Sequence, residues 1–538
     1  ITEVRARTCA EKLIKDEAQK KEIVFELMAL AGGPPDPKVR PKLQQALLKY
    51  APDQAKRAEA NPVTRANVLL QAGRFGIREE MKQLYGFGWR DYVRGVTTTL
   101  DVDENLAFRQ RIETRLGEID GKWGSRIDPA FTLDPKKVTA GKQLPNVVIV
   151  AADSSGNIVR YYETGETAPY FGSGPARSSE TGLYDPAREG RMIASTGKML
   201  AAIAIANEGK DTTESLYLDT DAPAHGLDTC EKGGAGRAGR KAIVSFACSL
   251  NGPLINRTAL IGQPRIKTLI DGFGFAMPPA AEGGGTPPST AVVLGQIAGA
   301  PRRVHHMSAI VLASLIGRGA TSVRAPGLIK SYDYTFKGEG GSGIASASPP
   351  AIVPNTLIRR HANPLLKALL EAPLCYQAGG VSHGTLKSLS HWCGTRRGGV
   401  RLHFAKTGTQ VTADPNATID SWITGGLQFA NGAAYSYVVL VGTGTPSQPW
   451  AQGLHASQVA APLLDDMLAD LEAHAKEHPR RDLLPVRRPA PRPSPVASNS
   501  GPGTANAARL TPREIQRSGP RTGASSPASG TLGNLMQR

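Results

Sequence analysis

The stretch Ser195-Thr196-Gly197-Lys198-Met199-Leu200-Ala201-Ala202-Ile203 places a serine and a lysine three positions apart at the head of an apolar run. Such a run predicts a buried helix that begins at Ser195. Residues three apart on a helix share a face, so the Lys198 amine can reach the Ser195 hydroxyl. A serine is a weak nucleophile until a neighbouring base accepts its proton. The S-x-x-K pattern alone is weak, because an ordinary buried helix can contain it by chance.

Two further short motifs follow along the chain. Ser249-Leu250-Asn251 comes after an apolar stretch, and a hydroxyl and an amide two residues apart on a turn can both point into a cleft. A second S-x-N, Ser155-Gly156-Asn157, is interpreted as a hairpin turn. Lys406-Thr407-Gly408-Thr409 ends a strand-like run, and Gly408 lets a ligand approach the backbone closely. Each motif is weak alone, but their order is the set that penicillin-binding proteins and serine β-lactamases share.

The chain thus resembles the transpeptidase domain of penicillin-binding proteins over about residues 61–475. Asp420-Ser421-Trp422-Ile423-Thr424-Gly425 is similar to the D-x-W-F-x-G strand of bifunctional (class A) members. The run 96–101 is similar to the strand that opens their linker. A weaker likeness to the end of their family 51 glycosyltransferase domain is carried by Asn61-Pro62, Arg65 and Val68-Leu69. The catalytic E-D-x-x-F motif of that domain is absent from residues 1–92, so a polymerising half is expected to be missing or truncated.

Two positions depart from the family pattern. Thr196-Gly197 replaces the bulkier residues that often stand inside the serine motif, and Gln410 stands where a third threonine is common. These departures concern fine specificity and leave the serine chemistry in place.

The resemblance implies a D,D-transpeptidase that cross-links peptidoglycan stem peptides, is inhibited by penicillin and needs no metal or cofactor. Its implied catalytic residues are Ser195 as nucleophile, Lys198 as base and Ser249 as proton relay. The implied substrate-binding residues are Asn251 for the peptide backbone and Lys406, Thr407, Gly408 and Thr409 for the terminal carboxylate. The backbone N–H groups of Ser195 and Thr409 would form the oxyanion hole.

Three alternatives share these residues. A serine β-lactamase must activate water, and no E-x-x-L-N segment lies between Ser249 and Lys406 to supply that base. A D,D-carboxypeptidase would use water as the acceptor, and only the likeness to the class A linker argues against it. A degenerate family member could act as a non-catalytic β-lactam or peptidoglycan sensor, although every motif residue is present.

The pattern of the whole chain predicts an α/β (α+β) fold, and the family resemblance implies that its sheet is antiparallel and flanked by helices. Strands are expected at 147–152, 158–162, 400–406, 420–427 and 434–441. Helices are expected at 12–30, 65–85, 101–116, 195–207, 242–247, 256–273, 306–317 and 458–475, with a polar inserted loop at 211–241. The predicted domains are a helical remnant at 1–92, a linker at 93–143, the transpeptidase domain at 144–475 and a disordered tail at 476–538.

Composition adds little about partners, because the positive charge is concentrated in the tail. The net charge of the chain is +17, and residues 476–538 carry eleven Lys/Arg against three acids, together with ten prolines. The charge therefore gives no case for nucleic-acid binding. The tail could contact an anionic membrane or wall polymer, and other cell-wall synthesis proteins are conceivable partners.

The cysteines and the first residue of the chain bear on disulfide bonding and on processing. Five cysteines occur, and two pairs share an 18-residue separation, Cys230/Cys248 and Cys375/Cys393. Either disulfides or unpaired buried thiols fit the sequence. The chain opens at Ile1 with no signal peptide, so a processed or truncated product is expected. The family resemblance implies an extracytoplasmic location, with any membrane anchor absent from this chain.

Overall fold

The computed structural model describes residues 77, 80, 81, 93–139, 141–164, 170, 191–210, 217, 218, 240–277, 285–317, 323–335, 342–346, 357–378, 381–394, 399–445 and 447–480. Several expectations fall outside these residues: the helix at 12–30, the likeness at 61–69, most of the helix at 65–85, most of the loop at 211–241, and the tail beyond 480.

Fifteen strands lie in the described part of the chain. In order, β1 to β15 are Val93–Thr98, Asn146–Asp153, Ile158–Thr164, Arg191–Met192, Tyr217–Leu218, Arg240–Lys241, Ala298–Gly299, Ile329–Thr335, Ser342–Ser346, Gln377–Ala378, Val381–Ser382, Val400–Val411, Ala417–Phe429, Ala434–Gly442 and Ala451–Gln452. The described α-helices, α1 to α9, are Val102–Trp123, Lys198–Asn207, Ala242–Ala247, Gly252–Ile261, Gln263–Gly272, Pro288–Leu294, Pro301–Leu315, Asn363–Cys375 and Ala456–Glu477.

The central sheet is antiparallel, with the order β12-β13-β14-β2-β3 and the short β15 added to β13. Strands β13 and β14 are buried along their whole length, so both faces of the sheet are covered. Along β2, Val148 and Val150 enter one hydrophobic cluster, while Val147 and Ile149 enter another. This alternation follows from the two-residue period of a strand. The predicted antiparallel sheet flanked by helices is confirmed.

Each face of the sheet packs against its own helices. The cluster on one face contains apolar residues from α2 to α8, and the cluster on the other contains residues from α1 and α9. Helix α1 is capped by Asp101, whose carboxylate accepts the Glu104 N–H at 2.9 Å. Arg115 joins α1 to α9 through two bonds to Asp466, at 2.7 and 3.0 Å. The helix in the predicted linker therefore shares the core of the sheet.

Two helix boundaries differ from the predictions for identifiable backbone reasons. The expected single helix at 256–273 is two helices, because Gly262 lies between them at φ 105°. Helix α7 begins at Pro301 rather than at residue 306. Proline is well suited to a first helical turn, where its missing N–H has no intrahelical partner to lose. The turn at 153–157 is a hairpin turn, as predicted: the Asp153 carboxylate accepts the N–H groups of Ser155 and Asn157 at 2.8 and 2.9 Å.

A disulfide joins Cys375, the last residue of α8, to Cys393, with the two Cα atoms 5.6 Å apart. Cys248 is disulfide-bonded as well. The alternative of five unpaired thiols is therefore wrong. No helix in the described ranges combines the length and apolar character required to cross a membrane.

Candidate active site

The turn that carries Ser195 is a 3₁₀ turn, Ala194–Gly197, and the α-helix begins only at Lys198. The expectation of a helix from Ser195 is therefore wrong by one turn. Ala194 has φ 48°, a left-handed conformation that a non-glycine residue adopts at a cost of about 1–3 kcal/mol. Its N–H donates to the carbonyl of Gly295 at 3.2 Å. Contact with the segment after α6 therefore fixes the conformation just before Ser195.

Close packing explains the glycine inside the serine motif, Gly197. A Cβ at Gly197 would lie 2.3 Å from the carbonyl oxygen of Val292 in α6. A Cβ at Gly295, where φ is 67°, would lie 1.6 Å from the Ala194 carbonyl oxygen. Both glycines are needed because backbone meets backbone here. The departure at Gly197 from bulkier residues is thus matched to the close approach of α6.

Lys198 is fully buried, and its Nζ lies 2.7 Å from Ser195 Oγ and 2.7 Å from Asn251 Oδ1. Burial, and secondly the charge of Lys406, hold the pKa of Lys198 well below its usual range. A neutral amine has a lone pair, so it can accept the proton of Ser195 while donating its own N–H to the Asn251 amide oxygen. Ser195 itself is partly exposed. This arrangement has the geometry that an activated serine nucleophile requires.

A second buried lysine holds the second serine. Lys406 Nζ donates to Ser249 Oγ at 2.8 Å and to the Thr407 carbonyl at 3.0 Å. Burial lowers the pKa of Lys406 to about 7. Ser249 has φ 56°, which makes it, with Ala194, one of two non-glycine residues in the left-handed region within the described chain. Backbone strain of this kind is concentrated at functional sites.

The strand β12 lies at the edge of the sheet and passes directly over the serine turn. A Cβ at Gly408 would lie 3.0 Å from the Ile193 carbonyl oxygen and 3.1 Å from Thr196 Cγ2. Thr409 Oγ1 accepts the N–H of Ala456, the first residue of α9, at 3.2 Å. The structure therefore brings the eight predicted site residues into one region, and their chemical roles stay predictions.

Sequence reasoning missed Arg191, which lies four residues before Ser195. Arg191 Nη1 lies 2.8 Å from the fully buried Asp420 carboxylate and donates to the Gly442 carbonyl at 3.2 Å. Burial raises the pKa of Asp420, and the Arg191 charge opposes that rise. The pair ties the short strand before Ser195 to β13. Asp420 had a signal in the D-x-W-like motif, whereas Arg191 had none.

Thr385 was also missed. The Thr407 hydroxyl donates to Thr385 Oγ1 at 3.0 Å. Thr385 lies between β11 and a 3₁₀ helix at Lys387–Trp392, in a segment without a recognisable motif. Its contact with Thr407 places a further hydroxyl at the K-T-G strand.

Side chains that could bind a metal ion lie together away from the serine site in the described residues. One set of three side chains has the spacing to hold an ion, Glu104, Glu477 and His478, and none of them belongs to the serine site. Glu104 is already paired with Arg160 at 2.7 Å.

The chain was compared with known proteins. No family model and no curated protein matches it. Among solved structures, it is similar to apo penicillin-binding protein 3 from Mycobacterium tuberculosis, with 18% identity over 72% of this chain and 81% of that chain and a TM-score of 0.45. It is similar to the penicillin-binding protein PonA1 from Mycobacterium tuberculosis, with 16% identity, coverage of 79% and 93%, and a TM-score of 0.40. It is also similar to the transpeptidase domain of the FtsI4 D,D-transpeptidase from Legionella pneumophila, with 16% identity, coverage of 68% and 96%, and a TM-score of 0.36.

Proposed function

We propose that this chain is a penicillin-sensitive serine D,D-transpeptidase that cross-links peptidoglycan stem peptides. One observation carries the proposal: the buried Lys198 amine lies 2.7 Å from Ser195 Oγ, and its pKa is held well below the usual range. The ordered motifs add support, because each contributes a side chain to the same cleft. The proposal includes action outside the cytoplasm, where the cell-wall substrate lies.

Acylation would begin when Ser195 Oγ attacks the carbonyl between the two terminal D-alanines, while its proton passes to the neutral Lys198 amine. The Ser195 and Thr409 N–H groups would stabilise the oxyanion, where one donor typically contributes about 3–4 kcal/mol. As the C–N bond breaks, the leaving amine of D-alanine takes the proton that Lys198 accepted, relayed through Ser249, which Lys406 holds at 2.8 Å. The product of this half-reaction is an ester of Ser195 and free D-alanine.

The second half-reaction would transfer the acyl group. An amine of a neighbouring stem peptide attacks the ester carbonyl, an amide C–N bond forms and the ester C–Oγ bond breaks. The proton of the amine passes through Lys198 to Ser195 Oγ, which leaves as the free hydroxyl. The protonated form of Lys406 would attract the substrate's terminal carboxylate, with Thr407 and Thr409 as hydroxyl donors. Asn251 would hold the peptide backbone while its amide oxygen contacts Lys198 at 2.7 Å.

Three wider expectations belong to the same proposal. A longer parent chain would carry a family 51 glycosyltransferase, an inference that depends on residues 61–69, outside the described residues. The boundary between linker and catalytic domain stays at 143/144 as a prediction. Residues beyond 475 would be dispensable for acylation, although α9 continues to Glu477.

A fluorescent penicillin tests the proposal directly. The purified chain should be labelled once, on the peptide that contains Ser195. Ser195→Ala and Lys198→Ala should abolish labelling, whereas Ser155→Ala, in the second S-x-N at the hairpin turn, should label like the wild type. Labelling of Ser195→Ala at the wild-type level would contradict the assignment of the nucleophile.

The acceptor distinguishes the transpeptidase from the hydrolases. With a stem-peptide thioester or pentapeptide and an excess of D-amino acid, the main product should be the exchanged peptide. The penicilloyl adduct, followed by intact mass, should persist for many minutes. Rapid turnover of penicillin would favour the β-lactamase, and release of tetrapeptide alone would favour the carboxypeptidase.

A further inference from the structure

Thr407 has a limited hydrogen-bonding capacity at the point where the proposed substrate carboxylate would bind. A hydroxyl has one proton to donate and two lone pairs to accept with. In this structure, the Thr407 hydroxyl donates to Thr385 Oγ1 at 3.0 Å, and Lys406 Nζ lies 3.4 Å from Thr407 Oγ1. If Thr407 is to donate to a carboxylate, it must withdraw its proton from Thr385.

The segment that carries Thr385 is held firmly against the site. The Thr385 N–H donates to the Ala247 carbonyl at 3.0 Å, at the end of the helix that precedes Ser249. The Leu386 N–H donates to the Pro373 carbonyl at 2.9 Å. Gly384 has φ 115°, and a Cβ there would lie 2.5 Å from the same Pro373 oxygen. Thr385 is therefore fixed by backbone contacts on both sides.

The disulfide closes this segment into a loop. Cys375 and Cys393 flank it, and the His383 N–H donates to the Tyr376 carbonyl at 2.9 Å within it. Linking the two ends of a loop restricts the conformations of the residues between them. The backbone at Thr385 therefore stays in place when a ligand enters, so only its hydroxyl has to reorient.

We propose that Thr385 is a positioning residue for Thr407, and that its hydroxyl changes from acceptor to donor when an anionic ligand binds. In the arrangement of this structure, Thr385 accepts the Thr407 proton. In the occupied site Thr407 donates to the ligand carboxylate, and the Thr385 hydroxyl donates to Thr407 Oγ1. This inference rests on the proposed function of the K-T-G strand, which it extends by one residue.

Only a side chain with a hydroxyl at position 385 can change from hydrogen-bond acceptor to donor in this way. Serine has the same reversible hydroxyl, so Thr385→Ser should act like the wild type. Valine has the shape of threonine but can neither accept nor donate, so Thr385→Val should leave Thr407 without its partner. Ser388→Ala, at an exposed position in the same loop, is the matched control.

A pair of acylating agents provides the test: a penicillin and its methyl ester, which have the same reactive ring and differ in the carboxylate. For each variant, the second-order rate constant of Ser195 acylation is measured by intact mass with each agent. Thr385→Val should slow the acid about three- to tenfold, the effect of one neutral hydrogen bond, and change the ester by less than about twofold. Thr385→Ser and Ser388→Ala should keep the wild-type acid-to-ester ratio.

The ratio is measured within each variant, so partial unfolding cancels, and Thr385→Ala provides a second variant if the valine protein is poorly folded. An unchanged acid-to-ester ratio in both Thr385→Val and Thr385→Ala would overturn the inference while leaving the proposed function intact. Equal slowing of acid and ester would overturn it as well, because the effect would then be on Ser195 reactivity. Failure of the proposed function is distinct: the wild type would not be acylated by penicillin at Ser195.

Discussion

Replacing Lys406 by methionine should stabilise the fold near neutral pH and abolish the reaction with penicillin. Lys406 is fully buried, and burial lowers its pKa from 10.5 to about 7. Each tenfold change in proton affinity corresponds to about 1.4 kcal/mol, so keeping this amine buried disfavours the folded state by about 4 kcal/mol near pH 7. Loss of its hydrogen bonds to Ser249 and Thr407 offsets about 1–3 kcal/mol of the gain.

The effect has a defined dependence on pH. Between about pH 7 and about pH 10.5, the unfolded chain binds a proton at Lys406 that the folded chain releases. The free energy of unfolding of the wild type therefore rises with pH through this window. By about pH 9.5, the penalty from Lys406 falls to about 1 kcal/mol. The difference between variant and wild type should therefore shift by about 3 kcal/mol, from a gain at neutral pH to no gain or a loss.

Urea unfolding at several pH values from about 7 to about 9.5 measures this difference, because linear extrapolation gives the free energy in water for each protein. Lys387→Met, at an exposed lysine, is the control and should run parallel to the wild type. A difference between Lys406→Met and wild type that is constant with pH would refute the reasoning, since Lys406 would then carry the same charge folded and unfolded. A variant that still reacts with penicillin at the wild-type rate would separate this lysine from the chemistry.

Two further predictions concern the same region. The rate constant for acylation by penicillin should fall above about pH 7, because Lys406, with a pKa of about 7, loses the charge that attracts the carboxylate. Stopped-flow measurement checks this, and acylation by the methyl ester, which lacks that carboxylate, should show no such fall. Replacing Cys375 and Cys393 together by serine should lower the free energy of unfolding by about 2–4 kcal/mol. Urea unfolding measures this change, with Cys9→Ser as the control. An unchanged value would mean that the disulfide does not restrain the unfolded chain.

Most of the central sheet could be predicted from the sequence because its strands are continuous apolar runs. The run at 434–441 is such a case, and β14 is buried at every position. The break at Gly262 was not predicted, because a single glycine inside a helical pattern is often tolerated. The early start of α7 at Pro301 could have been recognised from the preference of proline for the first helical turn.

The site was predictable to the extent that its residues belong to ordered short motifs. Ser195, Lys198 and Lys406 were identified because their spacing and order are specific. Thr385 and Arg191 were not, because each acts through a contact with a residue distant in sequence, Thr407 and Asp420, at 3.0 and 2.8 Å. Contacts of this kind depend on the packing of several elements, and a single sequence contains no local pattern for them.

Several features of this site disfavour the folded state, and their location bears on its function. Two lysines are buried with lowered pKa values, and Ala194 and Ser249 are held in a left-handed backbone. Each feature disfavours the folded state, and all of them lie on the three motifs or next to them, with the Lys198 amine 2.7 Å from Ser195 Oγ. A merely structural helix and strand would be more stable with an apolar residue at Lys198 and a glycine at position 194. Proteins retain such destabilising features where activity requires them, because the residues that best support a reaction are often not those that best stabilise the fold. The concentration of these costs around one partly exposed hydroxyl therefore argues for catalysis over a scaffold role, and Lys406→Met tests that argument by making the protein more stable and less active at once.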